Sequence, residues 1–170
     1  MVSPGNPLKH QAGMAPLADR IGSARRLVHN RHMLATGIEA TLGVRYTFDT
    51  LRALRRRFPR VRFVWLMGAD NLVQLPHWQR WRALARLMPF AVLPRPSYNH
   101  RALAGQAART LRPALRPARA APALVNGAPA WTFLPARQNP LSATALRLLH
   151  AWPAPPLTRN MPHDAADSAI

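Results

Sequence analysis

Residues 63–67 read Phe-Val-Trp-Leu-Met, an unbroken apolar run that stops at Gly68-Ala69-Asp70. A strand with one wet face alternates apolar and polar residues. A run without alternation needs cover on both faces, as in a parallel sheet flanked by helices. The next segment, "NLVQLPHWQRWRALARLM", turns to helical spacing and carries Trp78 and Trp81. A buried strand running through a glycine and an acid into a helix is the unit from which α/β folds are built.

The rest of the chain repeats the pattern. "APLADRIGSARRLVHN" reads as a helix with Leu17, Ile21, Ala24 and Val28 on one face. A short strand is expected around Ile38. "YTFDTLRALRRRFP" is the next helix, with Thr47 as N-cap, Asp49 in the first turn, Leu51, Leu54 and Phe58 as the buried stripe and Pro59 as the stop. The segment "WQRWRALARLM" is helical, "FAVLPRP" a strand and "NHRALAGQAARTL" helical again. Residues 112–130, rich in Pro, Ala and Arg, read as a weakly ordered loop. "AWTFLPA" is a last strand and "LSATALRLLHAW" a last helix, so residues 1–150 are expected to form the domain. Residues 151–170 offer little to bury and are expected to be disordered.

The composition excludes several classes. With no cysteine, there is no disulfide framework, thiolate zinc site or cysteine nucleophile. No apolar run approaches the ~18 residues of a membrane span, and no signal-peptide core is evident, so a cytoplasmic protein with no membrane partner is expected. The net charge of +18 invites a nucleic-acid reading, but Lys9 is the one lysine and the arginines are dispersed. Generic basic character, suited to a phosphate-bearing substrate, fits better than a dedicated nucleic-acid surface. His29 and His32 have the spacing of paired ligands, yet no third ligand lies near, and no metal site is assigned.

In parallel sheets ligands bind beyond the carboxyl ends of the strands. Gly68 and Asp70 lie there: the glycine permits close backbone approach, and the carboxylate can accept from ribose hydroxyls. An ordinary turn with Asp70 as helix N-cap fits them equally. Ser142 and Thr144 open the last helix, with Arg147 one turn in, which makes an anion site out of hydroxyls, free N–H groups and a guanidinium. Simple capping by Ser142 is the plainer alternative. Arg95, held between two prolines at a strand end, is rigidly presented and could reach a phosphate.

Taken in order, "SPGNPLK", "GMAPLADRIGSAR", "RYTFDTLRALRRRFP", "FVWLMGADNL", "HWQRW", "VLPRPSY" and "NPLSATALR" resemble the bacterial nicotinate-nucleotide adenylyltransferases. The last segment is similar to the Ser-x-Thr-x-x-Arg signature of the nucleotidylyltransferase superfamily. The resemblance implies a Rossmann-like nucleotidylyltransferase fold with a mainly parallel sheet. It also implies adenylyl transfer from ATP, carried with Mg²⁺, to nicotinate mononucleotide. By the same resemblance Ser142, Thr144, Arg147 and Lys9 would hold the ATP phosphates, with Arg147 essential to turnover, and Gly68 and Asp70 the adenosine ribose. Trp78 would stack on the pyridine ring, with Tyr46 and Thr47 near its carboxylate and Arg95 near a phosphate. Trp78 as a packing residue is the alternative, and Trp81 is assigned to packing. The superfamily's first signature, Gly-x-Phe-x-Pro-x-His-x-Gly-His, is not in the chain. The expectation is a domain whose first strand and helix are missing, with an upstream in-frame stretch restoring them. A related transferase with another phosphorylated acceptor, an inactive remnant and a basic RNA-binding protein are the competing readings.

Overall fold

The computed structural model describes residues 1–5 and 14–138, all within the compact unit Met1–Pro140. Four strands, β1 (Trp65–Gly68), β2 (Phe90–Leu93), β3 (Leu115–Arg116) and β4 (Trp131–Phe133), form one sheet in the order β1-β2-β4-β3, and every pair is parallel. The helices are α1 (Leu17–Leu27), α2 (Ile38–Thr41), α3 (Thr47–Arg57), α4 (Ala69–Gln74), α5 (Trp81–Leu87), α6 (Asn99–Leu103) and α7 (Gln106–Thr110). This is a parallel α/β architecture, consistent with the fold that the resemblance implies. No described helix is long and apolar enough to cross a membrane.

The register explains the apolar runs. Trp65 aligns with Phe90, and Phe90 with Trp131, so three aromatics from adjacent strands share one face. Phe90 and Trp131 stack with centroids 5.6 Å apart, and Trp65 tilts against Phe90 at 6.2 Å. Phe90 and Trp131 are each 1% exposed, and burying a side chain of this kind stabilises by about 1.5–3 kcal/mol. Leu72 and Leu75 with Ala102, Ala107 and Ala108 cover this face. The small alanines let α6 and α7 lie close. On the opposite face Ala91, Leu124 and Ala130 form a second cluster. A third, Leu51, Leu84 and Met88, packs α3 against α5. There the Arg55 guanidinium donates to the Leu87 carbonyl at 2.6 Å.

Several local expectations are corrected. Residues 38–41 form a helical turn and not a strand, because the chain bends at Gly37 (φ −98°, ψ 28°) and Glu39 is drawn to Thr50. Tyr46, not Thr47, is the N-cap of α3, with no side-chain capping bond. Phe58 lies past the helix end and is 40% exposed, in edge contact with Phe63. The helix expected from Trp78 begins only at Trp81, after a 3-10 turn at Leu75–His77 and a left-handed Arg80 (φ 54°). Gly105 splits the helix expected over residues 99–111 into α6 and α7. Residues 112–130, expected as a weakly ordered loop, carry β3 and a 3-10 stretch at Ala118–Asn126. Tertiary bonds hold them: Trp131 Nε1 donates to the Leu111 carbonyl at 2.8 Å, and Thr132 Oγ1 to that of Arg116 at 2.9 Å.

Candidate active site

Two groups of predicted residues come together, on either side of the start of α4. At the ends of β1 and β2, Gly68 turns the chain into α4 with ordinary extended torsions (φ −81°, ψ 159°). Asp70 sits in the first turn of α4 without a capping side-chain bond, so the N-cap alternative does not hold. Its Oδ1 lies 3.8 Å from Arg95 Nε, an ion pair with Arg95 53% and Asp70 22% exposed. Arg95 is presented by a pinned turn: its N–H donates to Asn99 Oδ1 at 2.7 Å, and Asn99 Nδ2 donates to Gln138 Oε1 at 3.1 Å.

The glycine is needed here for space. A Cβ at position 68 would run into Asp70 Oδ1 and come within 3.2 Å of Arg95 Nε.

The second group surrounds a cavity of about 320 Å³. Tyr46 and Thr47, at the start of α3, and Trp78, after the 3-10 turn, all line it. Phe48 and Trp65 add apolar wall, while Glu39, Arg45 and Asn71 add polar groups. Trp78 has two roles in the structure. One side packs on Trp65, centroids 5.6 Å apart and planes at 45°, continuing the aromatic row of the sheet; the ring also borders the cavity. The left-handed Arg80 lays its guanidinium over Phe48 at 5.5 Å, which ties the loop after Trp78 to α3. Trp81 packs against the core as expected.

Asn71 follows Asp70 directly and lines the cavity, so α4 places one residue at each group. Lys9, Ser142, Thr144 and Arg147 lie outside the described residues.

A 148-residue stretch, 86% of this chain, is 57% identical to 76% of a probable nicotinate-nucleotide adenylyltransferase from Gluconobacter oxydans. The corresponding protein of Gluconacetobacter diazotrophicus is 55% identical over 86% of this chain and 69% of its own length. That of Parvibaculum lavamentivorans is 48% identical over 89% of this chain and 76% of its own. No protein-family model matches the chain. The chain belongs to the nicotinate-nucleotide adenylyltransferase family.

Within this adenylyltransferase, Glu39 and Asn71 line the cavity beside Tyr46, Thr47 and Trp78 and were not singled out by the sequence reading. Asn71 stands beside the acid of "GAD" and could have been found there. Glu39 had one signal: it is one of only six acidic residues in the chain. Among the described residues no group of three or more His, Asp or Glu could hold a metal ion.

Proposed function

We propose that the chain transfers the adenylyl group of ATP to nicotinate mononucleotide, forming nicotinate adenine dinucleotide and pyrophosphate in NAD biosynthesis. The observation that carries this is the convergence of Tyr46, Thr47 and Trp78 on one cavity in a chain of this family. In the reaction an oxygen of the mononucleotide's 5′-phosphate bonds to the α-phosphorus of ATP. The bond from that phosphorus to the oxygen bridging to the β-phosphate breaks, and pyrophosphate leaves with the electron pair. Chemistry of this kind rests mainly on positioning and on neutralising phosphate charge.

Each group of residues then has a task. The cavity takes the mononucleotide: Trp78 offers a ring face to the pyridine, and the N-terminal turn of α3 at Tyr46-Thr47 faces its carboxylate. Gly68 and Asp70 take the adenosine ribose at the strand end. Arg95 is held within reach of a phosphate once it leaves Asp70. Ser142, Thr144 and Arg147, with Lys9, bind the ATP phosphates, as the superfamily signature implies. Mg²⁺ accompanies ATP as part of the substrate and needs few protein ligands, because it keeps phosphate oxygens and water around it.

The test is chromatographic detection of nicotinate adenine dinucleotide and pyrophosphate after incubation with MgATP and nicotinate mononucleotide. Nicotinamide mononucleotide and an unrelated phosphorylated acceptor serve as competitors. Arg147→Ala should abolish most turnover, and Arg147→Lys should restore only part, since lysine lacks the bidentate fork. Preferential use of the unrelated acceptor would overturn the reading.

A further inference from the structure

Glu39 is 5% exposed, although carboxylates are seldom buried without a full set of partners. Its Oε1 accepts the Thr50 hydroxyl at 2.9 Å, a bond that joins α2 to α3. Its Oε2 is buried and has no hydrogen-bond partner among the described residues. Thr50 could be held by a neutral acceptor, and its hydroxyl also lies 3.2 Å from the Tyr46 carbonyl. Joining the two helices therefore accounts for one oxygen and leaves the charge and the other oxygen unexplained. Glu39 also lines the cavity, beside residues of the α3 N-terminus.

A second orphan belongs to another residue of the cavity wall. Trp78 Nε1 is a buried donor with no partner among the described residues, and Trp78 lines the cavity too. Leaving such groups unmatched is costly, because each loses its hydrogen bonds to water and gains none in return. A ligand that matched both would have to donate to a carboxylate and accept from an N–H. A bare phosphate or carboxylate offers acceptors only and would be repelled by Glu39. A sugar hydroxyl donates and accepts.

We propose that Glu39 binds a ribose hydroxyl of the acceptor nucleotide through Oε2, so that the cavity recognises the sugar as well as the ring. This rests on the acceptor assignment made above and adds a residue to it. The carboxylate is shut off from bulk solvent. A hydroxyl entering from the cavity reaches it by a small side-chain adjustment of the wall, and the charge-assisted bond forms without competing water. The buried charge then serves selection: it admits ribose and disfavours an anion at that point.

Calorimetric titration of the full chain with nicotinate mononucleotide and with its 2′-deoxy and 3′-deoxy forms tests the proposal. The unaltered chain should bind the parent about tenfold more tightly than one of the two deoxy forms. Glu39→Gln can still accept the Thr50 hydroxyl but loses the charge and with it the charge-assisted bond, so that difference should largely disappear. Thr50→Val, which removes the hydroxyl's bonds to Glu39 Oε1 and the Tyr46 carbonyl and leaves Oε2 in place, should lower the melting temperature and keep the discrimination. Equal weakening of all three ligands by Glu39→Gln, or discrimination that survives it, would overturn the proposal while leaving the acceptor assignment standing. If the unaltered chain bound none of the three, the acceptor assignment itself would fail and this inference with it.

Discussion

Arg95 Nε lies 3.8 Å from Asp70 Oδ1 across the ends of two adjacent parallel strands. Both residues are proposed to serve substrates, so each holds the other in place until a ribose or a phosphate competes for it. The pair itself adds little stability. Arg95 is half-exposed, and ion pairs of that kind contribute roughly 0–1 kcal/mol. Its value is positional, and Gly68 sets the geometry.

Gly68→Ala should therefore damage substrate binding more than folding. The atoms nearest the new methyl would be side-chain atoms of Asp70 and Arg95. Displacing those side chains from preferred rotamers costs about 0.5–1.5 kcal/mol. We expect a near-native melting temperature and a KM for ATP raised about tenfold, since small misplacements are amplified in positioned reactions. Steady-state kinetics beside a thermal melt decides. A large drop in melting temperature with an unchanged KM would contradict it.

Trp78 needs two substitutions, because its ring both packs on Trp65 and borders the cavity. Trp78→Ala should destabilise the fold by about 2–4 kcal/mol through the space it leaves. It should also raise the KM for nicotinate mononucleotide well above any change for ATP. Trp78→Phe keeps an aromatic face and should recover most of the stability. Stacking contributes on the order of 1–3 kcal/mol, so an alanine variant that changed both KM values equally would reduce Trp78 to a packing residue.

The strands at 65–68 and 90–93 were legible from their unbroken apolar runs, but the cover on both faces that such a run implies holds for β2 alone, since Leu66 in β1 is 60% exposed. That Tyr46, Thr47 and Trp78 border one cavity follows the grouping that the order of the motifs suggested. Other features depend on partners distant in the chain. Residues 112–130 look like a loop locally, and what orders them is Trp131 reaching Leu111, Thr132 reaching Arg116, and Leu124 buried against Ala91 and Ala130. Ile38 has strand propensity, but the bond from Thr50 to Glu39 accompanies a helical turn there. Glu39 itself sits in the short apolar context "TGIEAT", with nothing local to mark its carboxylate as buried at a cavity wall.

Thr132→Val should report on the edge strand alone. Thr132 is fully buried, and its hydroxyl donates to the Arg116 carbonyl in β3. Valine fills similar space without the donor, so the cost should be near one hydrogen bond, about 0.5–1.5 kcal/mol. In a chain of this size that corresponds to a melting temperature lower by about 1–6 °C. Hydrogen exchange should quicken around residues 115–116, while the KM for both substrates stays unchanged. Unaltered exchange there would show that the backbone ladder alone secures β3.

Gly105→Ala makes the same chemical change as Gly68→Ala and should have the opposite balance of effects. A Cβ at position 105 would lie 2.8 Å from the Arg101 carbonyl oxygen and 3.3 Å from that of Ala102. These are backbone atoms of α6 and cannot rotate away, so the α6–α7 junction must open. Both helices cover the aromatic face of the sheet through Ala102, Ala107 and Ala108, which leave no slack. Overpacking of this kind costs about 1–3 kcal/mol, and the melting temperature should fall accordingly. Gly105 does not line the cavity, so the KM for nicotinate mononucleotide should remain within about twofold of the unaltered chain, as for a site with no shared partners. Thermal melts and kinetics on the two alanine variants side by side provide the test. A stable Gly105→Ala variant would mean that the junction relaxes freely, and the close approach of α6 and α7 would not be what requires a glycine there.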